Sequence, residues 1–251
     1  DREVINDRSS ARYLIEENIS DHVFFDLKKG HDTFTDKGVF LQDEPCLYQL
    51  CNWACAQKGE TIEEVLGGAD FAGKRGIFKR IAALIHSYHP QKWKMEDAWS
   101  IIALKMGGVI LLGQTKIYRE DAGHLPTYSG FKFEQYMTAD KPNGIPDTDS
   151  PIDNRSSFEM MVRSELSLGG RTLKLCCGAE IHALRGNEPI EFKSAIEAKS
   201  EGFFSKLGHV LQSEISGVRS VITGYKNNND EIDGFIVNKA NSRIFSCIIN
   251  R

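Results

Sequence analysis

Two short segments of the sequence alternate acidic and basic residues in a way that could build a site for phosphate chemistry. In the first segment Glu180 and His182 stand two residues apart, and in the second Glu191 and Lys193 do the same. Because side chains alternate between the two faces of a strand, each pair would project to one side of a sheet. Carboxylate oxygens suit Mg²⁺ or Mn²⁺, and a lysine beside them would meet phosphate charge. The spacing therefore predicts a metal-assisted phosphodiester site, although solvated strands also show such alternation.

These residues belong to a segment, residues 176–198, that is predicted to form two strands joined by a short polar turn. Hydrophobic spacing predicts helices in the first part of the chain, starting near Asp43, Thr61 and Ile77, and a further helix over 202–215. The basic cluster beside the third helix has the charge pattern of a solvated helix face. This cluster consists of Lys74, Arg75, Lys79 and Arg80.

Strand patterns dominate the rest of the chain. Glycine pairs predict two hairpins, one around Gly107-Gly108 and one around Gly169-Gly170. The alternating aromatic residues of GFKFE, residues 130–134, are by themselves typical of an edge strand. The remaining strands are predicted over 218–224, 234–237 and 244–249. The order of elements predicts an α+β fold, a single domain over 1–251 with a mixed, mainly antiparallel sheet core flanked by helices and an irregular N-terminal arm over 1–24.

Composition and charge narrow the classes of function. The chain has 251 residues, of which 41% are hydrophobic and 26% charged, as in an ordinary globular protein. A net charge of −4 argues against nucleic-acid binding by bulk electrostatics and leaves a local basic groove or a cation in an acidic pocket. The longest apolar run, 109–112, is too short for a membrane span, and no signal-peptide pattern opens the sequence. The spacing of the six cysteines favours free thiols in a reducing, intracellular compartment over zinc.

Four motifs, in a fixed order along the chain, resemble those of the decapping exoribonuclease family (DXO, also called Dom3Z). Arg75 in RGIFKRI precedes a helix, and Glu134 ends GFKFE. Glu180 stands in GAEIH, and a glutamate-aromatic-lysine sequence follows at 191–193. Further along, LQSEISGVRSVITGYKN resembles the family's helix-to-strand segment and contains Gln212. The resemblance runs from about residue 25 to residue 234.

This resemblance implies a nuclease-like active-site cleft and a divalent-metal-dependent hydrolase that acts on RNA 5′ ends. Such an enzyme removes unmethylated, incomplete or NAD-type caps, releases pyrophosphate from triphosphate ends, and degrades 5′-monophosphate RNA in the 5′→3′ direction. The implied cofactor is Mg²⁺ or Mn²⁺. A 5′→3′ exonuclease is the implied protein partner, and we expect a monomer without membrane attachment in the nucleus, the cytoplasm or both.

The resemblance also assigns roles by position. The implied metal ligands are Glu134, Glu180, Glu191 and the carbonyl oxygen of Phe192. Lys193 would position the attacking water. The implied substrate-binding residues are Arg75, Glu134, Lys193 and Gln212.

The third motif departs from the family at His182, where the family has an aspartate. An imidazole binds a metal through one nitrogen and without negative charge, so it cannot bridge two hard cations as a carboxylate does. Three interpretations stay open. His182 is a ligand in a one-cation site with altered chemistry, or the chain has lost turnover and kept 5′-end binding or partner regulation, or the histidine was introduced to freeze a complex. The similar tripeptide at 231–233 follows an asparagine-rich turn, and turn chemistry explains its acids.

Overall fold

The structure, a computed structural model, describes residues 7–20, 23–36, 47–57, 61–87, 100–114, 124–168, 170–196 and 203–239. The helix start predicted at Asp43 and the strand predicted over 244–249 lie outside these residues. Within the described part of the chain, no helix has both the length and the apolar character needed to cross a membrane. Four cysteines are described there, Cys51, Cys55, Cys176 and Cys177, and all four are free thiols, as the spacing predicted.

Five α-helices are described. They are α1 (Tyr48–Ala56), α2 (Ile62–Val65), α3 (Arg75–Ser87), α4 (Leu125–Met137) and α5 (Phe203–Ser216). Single turns of 3₁₀ helix lie at Glu16–Asn18 and His31–Thr33. Thr61 begins α2 with a capping box, because its side chain accepts the Glu64 N–H while the Glu64 side chain accepts the Thr61 N–H.

The described strands form two mixed sheets. In chain order they are β1 (Tyr13–Leu14), β2 (Phe25–Asp26), β3 (Phe71–Lys74), β4 (Ile101–Met106), β5 (Val109–Gln114), β6 (Thr138–Ala139), β7 (Glu159–Leu168), β8 (Arg171–Glu180), β9 (Ala183–Arg185), β10 (Glu188–Ile196), β11 (Ser220–Lys226) and β12 (Glu231–Lys239). One sheet has the order β2-β12-β11-β10-β9-β1-β6, and the other has the order β4-β5-β3-β8-β7. Six of the ten pairings are antiparallel.

This architecture confirms the predicted α+β class with a mixed, mainly antiparallel core flanked by helices. Both predicted hairpins form, β4–β5 and β7–β8. The turns need residues at positive φ, which glycine adopts without a steric penalty: φ is 53° at Gly107, 86° at Gly108 and 79° at Gly170. The core differs from the prediction in that it contains two sheets. The chain leaves the five-stranded sheet at Glu180 and enters the seven-stranded sheet at Ala183, so the segment that carries the chemistry joins the two sheets.

Two local predictions are wrong. GFKFE is not an edge strand but lies in α4, which begins with a proline in its first turn, where a helix tolerates it. Phe133 and Met137, one helical turn apart, are 1% and 0% exposed and pack on the seven-stranded sheet. This contact between the helix and the sheet outweighs the local alternation of aromatic residues. The arm over 1–24 is not wholly irregular either, because β1 pairs with both β6 and β9.

Two packing contacts position the site. On the seven-stranded sheet, the ring of Phe133 lies against Phe192 of β10, with centroids 5.6 Å apart, and close to the backbone of Gly224 on β11. On the five-stranded sheet, Ile77 of α3 and Ile215 of α5 share an apolar cluster with Cys177 of β8. The first contact places Glu134 above β10. The second brings the polar faces of α3 and α5 together beside the same strand.

Candidate active site

Glu191 of β10 is the centre of a buried polar network. Its side chain is 2% exposed. Lys193 Nζ and Gln212 Nε2 each donate to Glu191 Oε1 at 2.5 Å. Arg75 Nη1 donates to Glu191 Oε2 at 3.3 Å. A buried carboxylate needs this degree of pairing, because burying an unpaired charge costs several kcal/mol or more.

The strand geometry explains which side chains meet. Glu191 and Lys193 lie on the same face of β10, as the two-residue spacing predicted, and they form an ion pair. Phe192 points to the opposite face and is 3% exposed in the core. Arg75 comes from the start of α3 and Gln212 from α5, so the two packed helices supply the remaining donors.

The charges around Glu191 set its ionisation. Burial alone would raise the pKa of this carboxyl group, but the nearby His182, Lys193 and Arg75 together hold its pKa below the ordinary value. Glu191 is therefore an anion at neutral pH, and its negative charge organises the cationic side chains around it.

His182 lies between two glutamates. Its Nδ1 is 3.2 Å from Glu134 Oε1, and its Nε2 is 3.8 Å from Glu191 Oε1. The backbone N–H of Phe192 also donates to His182 Nδ1 at 3.3 Å. The imidazole thus connects α4 to β10, and it is 16% exposed.

Glu134 lies in an environment that disfavours its charged form. Burial raises the pKa of Glu134, and the charges of Glu180 and Glu191 raise it further against the opposing effect of His182. The surroundings of Glu134 therefore favour its neutral, proton-donating form.

A cleft of about 400 Å³ opens beside these groups, with Glu134, Glu180 and His182 in its lining. The lining also includes residues 9–12 of the N-terminal segment and the loop residues 150–154. Two side chains of α4 hold the neighbouring loop: Lys132 Nζ donates to the Thr148 carbonyl oxygen at 2.7 Å, and Gln135 Nε2 donates to the Ser150 carbonyl oxygen at 2.9 Å. The sequence predicted Glu134, Glu180 and His182 as site residues but did not indicate the other residues that line this cleft.

The donor types at the site suit a divalent cation, although the described side chains are not preassembled around one. Glu134 and Glu180 present carboxylate oxygens to the cleft, the ligands that Mg²⁺ and Mn²⁺ prefer. Among the described residues, however, no group of three His, Cys, Asp or Glu side chains is arranged to bind one metal ion. His182 lies between Glu134 and Glu191, and protein donors already engage both oxygens of Glu191.

The structure brings together the residues that the motifs singled out. Arg75, Lys193 and Gln212 contact Glu191 directly, and His182 lies between Glu191 and Glu134. Glu180, at the end of β8, lines the same cleft, while Phe192 reaches the network through its backbone N–H. The tripeptide at 231–233 lies at the start of β12, where Glu231 Oε2 accepts a hydrogen bond from Asn227 at 2.9 Å, as turn chemistry predicted.

Sequence reasoning missed two members of the network. Lys79 Nζ donates to Gln212 Oε1 at 3.4 Å, and Ser216 Oγ lies 3.4 Å from Arg75 Nη1. Each is four residues from a predicted site residue, Lys79 from Arg75 and Ser216 from Gln212. That i, i+4 spacing was the available signal, although the predicted helices began near Ile77 and ended at residue 215 and so contained neither Arg75 nor Ser216.

The fold and the acidic, lysine-containing site define the class of protein, a nuclease of the PD-(D/E)XK type. The family model described as "RAI1 like PD-(D/E)XK nuclease" matches residues 1–237, and the chain belongs to this family.

Two curated relatives have names that describe decapping. The chain is 26% identical over 246 residues to the decapping nuclease dom-3 of Caenorhabditis elegans, an alignment that covers 90% of this chain and 60% of the relative. It is 27% identical over 228 residues to the decapping and exoribonuclease protein of Mus musculus, covering 81% of this chain and 54% of the relative. The chain thus spans between about half and three fifths of the length of these relatives.

Solved structures share the fold at low sequence identity. Scheffersomyces stipitis Rai1, in complex with (3′-NADP)⁺ and calcium ion, aligns with a TM-score of 0.71 at 15% identity, over 97% of this chain and 71% of that protein. Candida albicans Rai1, in complex with pU5-Mn²⁺, aligns with a TM-score of 0.68 at 16% identity, over 94% of this chain and 67% of that protein.

Proposed function

We propose that this protein is a hydrolase that acts on RNA 5′ ends. Its reactions would be the removal of unmethylated, incomplete or NAD-type caps, the release of pyrophosphate from triphosphate ends, and 5′→3′ digestion of 5′-monophosphate RNA. One observation carries the proposal. Glu134 and Glu180 line a cleft, and His182 in the same lining contacts both Glu134 and the buried Glu191, which is paired with Lys193. Membership of a nuclease family and the names of the curated relatives support it.

The proposed roles follow from where each side chain lies. Glu134 and Glu180 line the cleft and would hold Mg²⁺ or Mn²⁺, with Glu191 and the Phe192 carbonyl oxygen as further ligands. A divalent cation supplies positive charge that stabilises a crowded phosphate in the transition state. Complexes of the two solved relatives with Mn²⁺ and with calcium support a divalent cofactor.

The protein's own cations would act on the substrate. Lys193 Nζ is fixed by Glu191 at 2.5 Å, and its side chain is 21% exposed. An ammonium group held in this way can orient a water molecule and oppose the negative charge that develops on the phosphate. Arg75 and Gln212 would bind the RNA backbone from α3 and α5. The complex of the Candida albicans relative with pU5 supports a single-stranded RNA substrate.

The test uses the unmodified chain with four RNAs that differ at the 5′ end: triphosphate, unmethylated cap, NAD cap and monophosphate. We expect a cap fragment, pyrophosphate or mononucleotides to be released in Mg²⁺ or Mn²⁺ and not in EDTA. Absence of any product in both metals would contradict the hydrolase proposal.

A second candidate function is the binding of RNA 5′ ends without turnover, alone or as a regulator of an exonuclease partner. It is favoured by the position of His182 and by the lack of a preassembled three-ligand metal site among the described residues. A His182→Asp variant separates the two candidates. Equal activity of both proteins would show that the imidazole is compatible with turnover. Activity of the variant alone would show that the chain has lost turnover through His182.

A further inference from the structure

We propose that Lys79 belongs to the substrate site: it fixes the amide of Gln212 and, with Arg75 and Lys193, forms a group of cations that binds the 5′-phosphate of single-stranded RNA. The inference deepens the proposed function and rests on it, since it assigns one phosphate of the substrate to one group of side chains. Lys79 lies within RGIFKRI, but the motif assigned a role only to Arg75. Its charge pattern alone was typical of a solvated helix face.

The first argument is the geometry between the two helices. Arg75 and Lys79 are one turn apart on α3, and Gln212 and Ser216 are one turn apart on α5. The two pairs face each other, with Arg75 Nη1 3.4 Å from Ser216 Oγ and Lys79 Nζ 3.4 Å from Gln212 Oε1. Lys79 therefore points into the contact between the helices, towards the network around Glu191.

The second argument is the orientation of the Gln212 amide. An amide has an accepting oxygen and a donating nitrogen. The ionised Glu191 carboxylate can only accept and the Lys79 ammonium can only donate, so both favour the orientation in which Gln212 Nε2 faces Glu191 and Oε1 faces Lys79. Gln212 is 9% exposed, which leaves little water to compete for the same positions. Lys79 thus acts on Glu191 through Gln212.

The third argument is an excess of positive charge. Within the described part of the chain, the ion pairs of Arg75 and Lys193 both go to Glu191, while the hydrogen-bond acceptor of Lys79 is the neutral amide of Gln212. Burial lowers the pKa of Lys79, and the neighbouring Lys193 and Arg75 lower it further. A bound phosphate would relieve this repulsion. The Arg75 and Lys193 side chains retain 12% and 21% exposure, so the group reaches solvent.

Lys74 provides a matched control on the same basic segment. Its side chain is 49% exposed, and its ammonium group lies 3.7 Å from a carboxylate oxygen of Glu159. Lys74 therefore has a surface ion-pair partner of its own. Removing the charge of Lys74 tests whether any lysine of this segment contributes equally to phosphate binding.

The experiment measures binding of fluorescent single-stranded RNA, in EDTA, with either a 5′-phosphate or a 5′-hydroxyl on the same sequence. Wild type should prefer the 5′-phosphate. Lys79→Met should weaken the binding of 5′-phosphate RNA by about tenfold, the usual effect of losing one charge-assisted hydrogen bond. It should change the binding of 5′-hydroxyl RNA little. Lys79→Arg should retain most of the preference, and Lys74→Met should weaken both RNAs slightly and equally. The salt dependence of 5′-phosphate binding should also fall for Lys79→Met.

Each other outcome contradicts the inference in a distinguishable way. If Lys79→Met keeps the wild-type preference or behaves like Lys74→Met, Lys79 is not part of a phosphate site while the proposed function stands. If wild type does not distinguish the two RNAs, the proposed function itself loses its support and the inference falls with it. Thermal melts check folding of every variant, and Lys79→Gln replaces the methionine variant if the latter is unfolded.

Discussion

Replacing Glu191 by glutamine tests whether this buried carboxylate organises the site. The substitution keeps the length of the side chain and removes the negative charge that Lys193 and Arg75 share. Removing one partner of a buried ion pair costs about 3–5 kcal/mol. Because Arg75 and Lys193 keep 12% and 21% exposure, water compensates in part, and we expect a loss of about 2–3 kcal/mol at pH 7. For a chain of this size that lowers Tm by about 4–12 °C.

The effect should depend on pH with a definite sign. The folded-state pKa of Glu191 is held below the ordinary value of 4.5, so the carboxylate stabilises the fold above that pH and this stabilisation is lost as the pH falls through the folded-state pKa. The difference between wild type and Glu191→Gln should therefore be full at neutral pH and shrink in acid. Denaturant or thermal unfolding from pH 7 down to about pH 2.5, through the range below the unfolded-state pKa, measures it.

Glu188→Gln is the matched control, because Glu188 lies on the same strand and its hydrogen-bond partner is the neutral Ser220 hydroxyl group, at 3.2 Å. It should cost less than about 1 kcal/mol. The reasoning would be refuted if Glu191→Gln were as stable as Glu188→Gln at pH 7, or if its deficit persisted unchanged in acid.

Two further predictions concern α4. Burial raises the pKa of Glu134, so the protonated carboxyl group stabilises the fold below pH 4.5 and this stabilisation is lost as the pH rises through the folded-state pKa. The stability of Glu134→Gln relative to wild type should therefore increase as the pH rises. A relative stability that decreases with pH would contradict this sign. Gly224→Ala should cost about 1–3 kcal/mol, because the new Cβ would lie 2.8 Å from Cζ of the buried Phe133 ring. Gly234→Ala on the adjacent β12, with open space around its Cβ, should be nearly neutral in the same urea titration.

The sequence predicted local features, such as shared strand faces and turns, better than it predicted how distant elements pack. The Glu191–Lys193 spacing predicts a shared strand face because alternation is a local property of the backbone, and the glycine pairs predict turns for a similar reason. The prediction that Glu134 lies near Glu191 came from the resemblance to a family. No local sequence pattern predicts this proximity, because it depends on the packing of Phe133 against β10.

What the sequence did not indicate depends on contacts between distant elements. GFKFE alternates like a strand and is helical because Phe133 and Met137 bury one helix face on the sheet. The basic cluster of α3 has the pattern of a solvated surface, yet Arg75 and Lys79 turn towards α5. Charge pattern cannot distinguish the two faces of a helix until the neighbouring helix is known.

The most direct test of the central claim is the release of product from 5′-triphosphate RNA in Mn²⁺, with the Glu191→Ala variant as the background. We predict that the unmodified chain releases pyrophosphate or nucleotides above that background, and that the signal disappears with the carboxylate. Equal product from both proteins, or none from either, would contradict a hydrolytic site centred on Glu191.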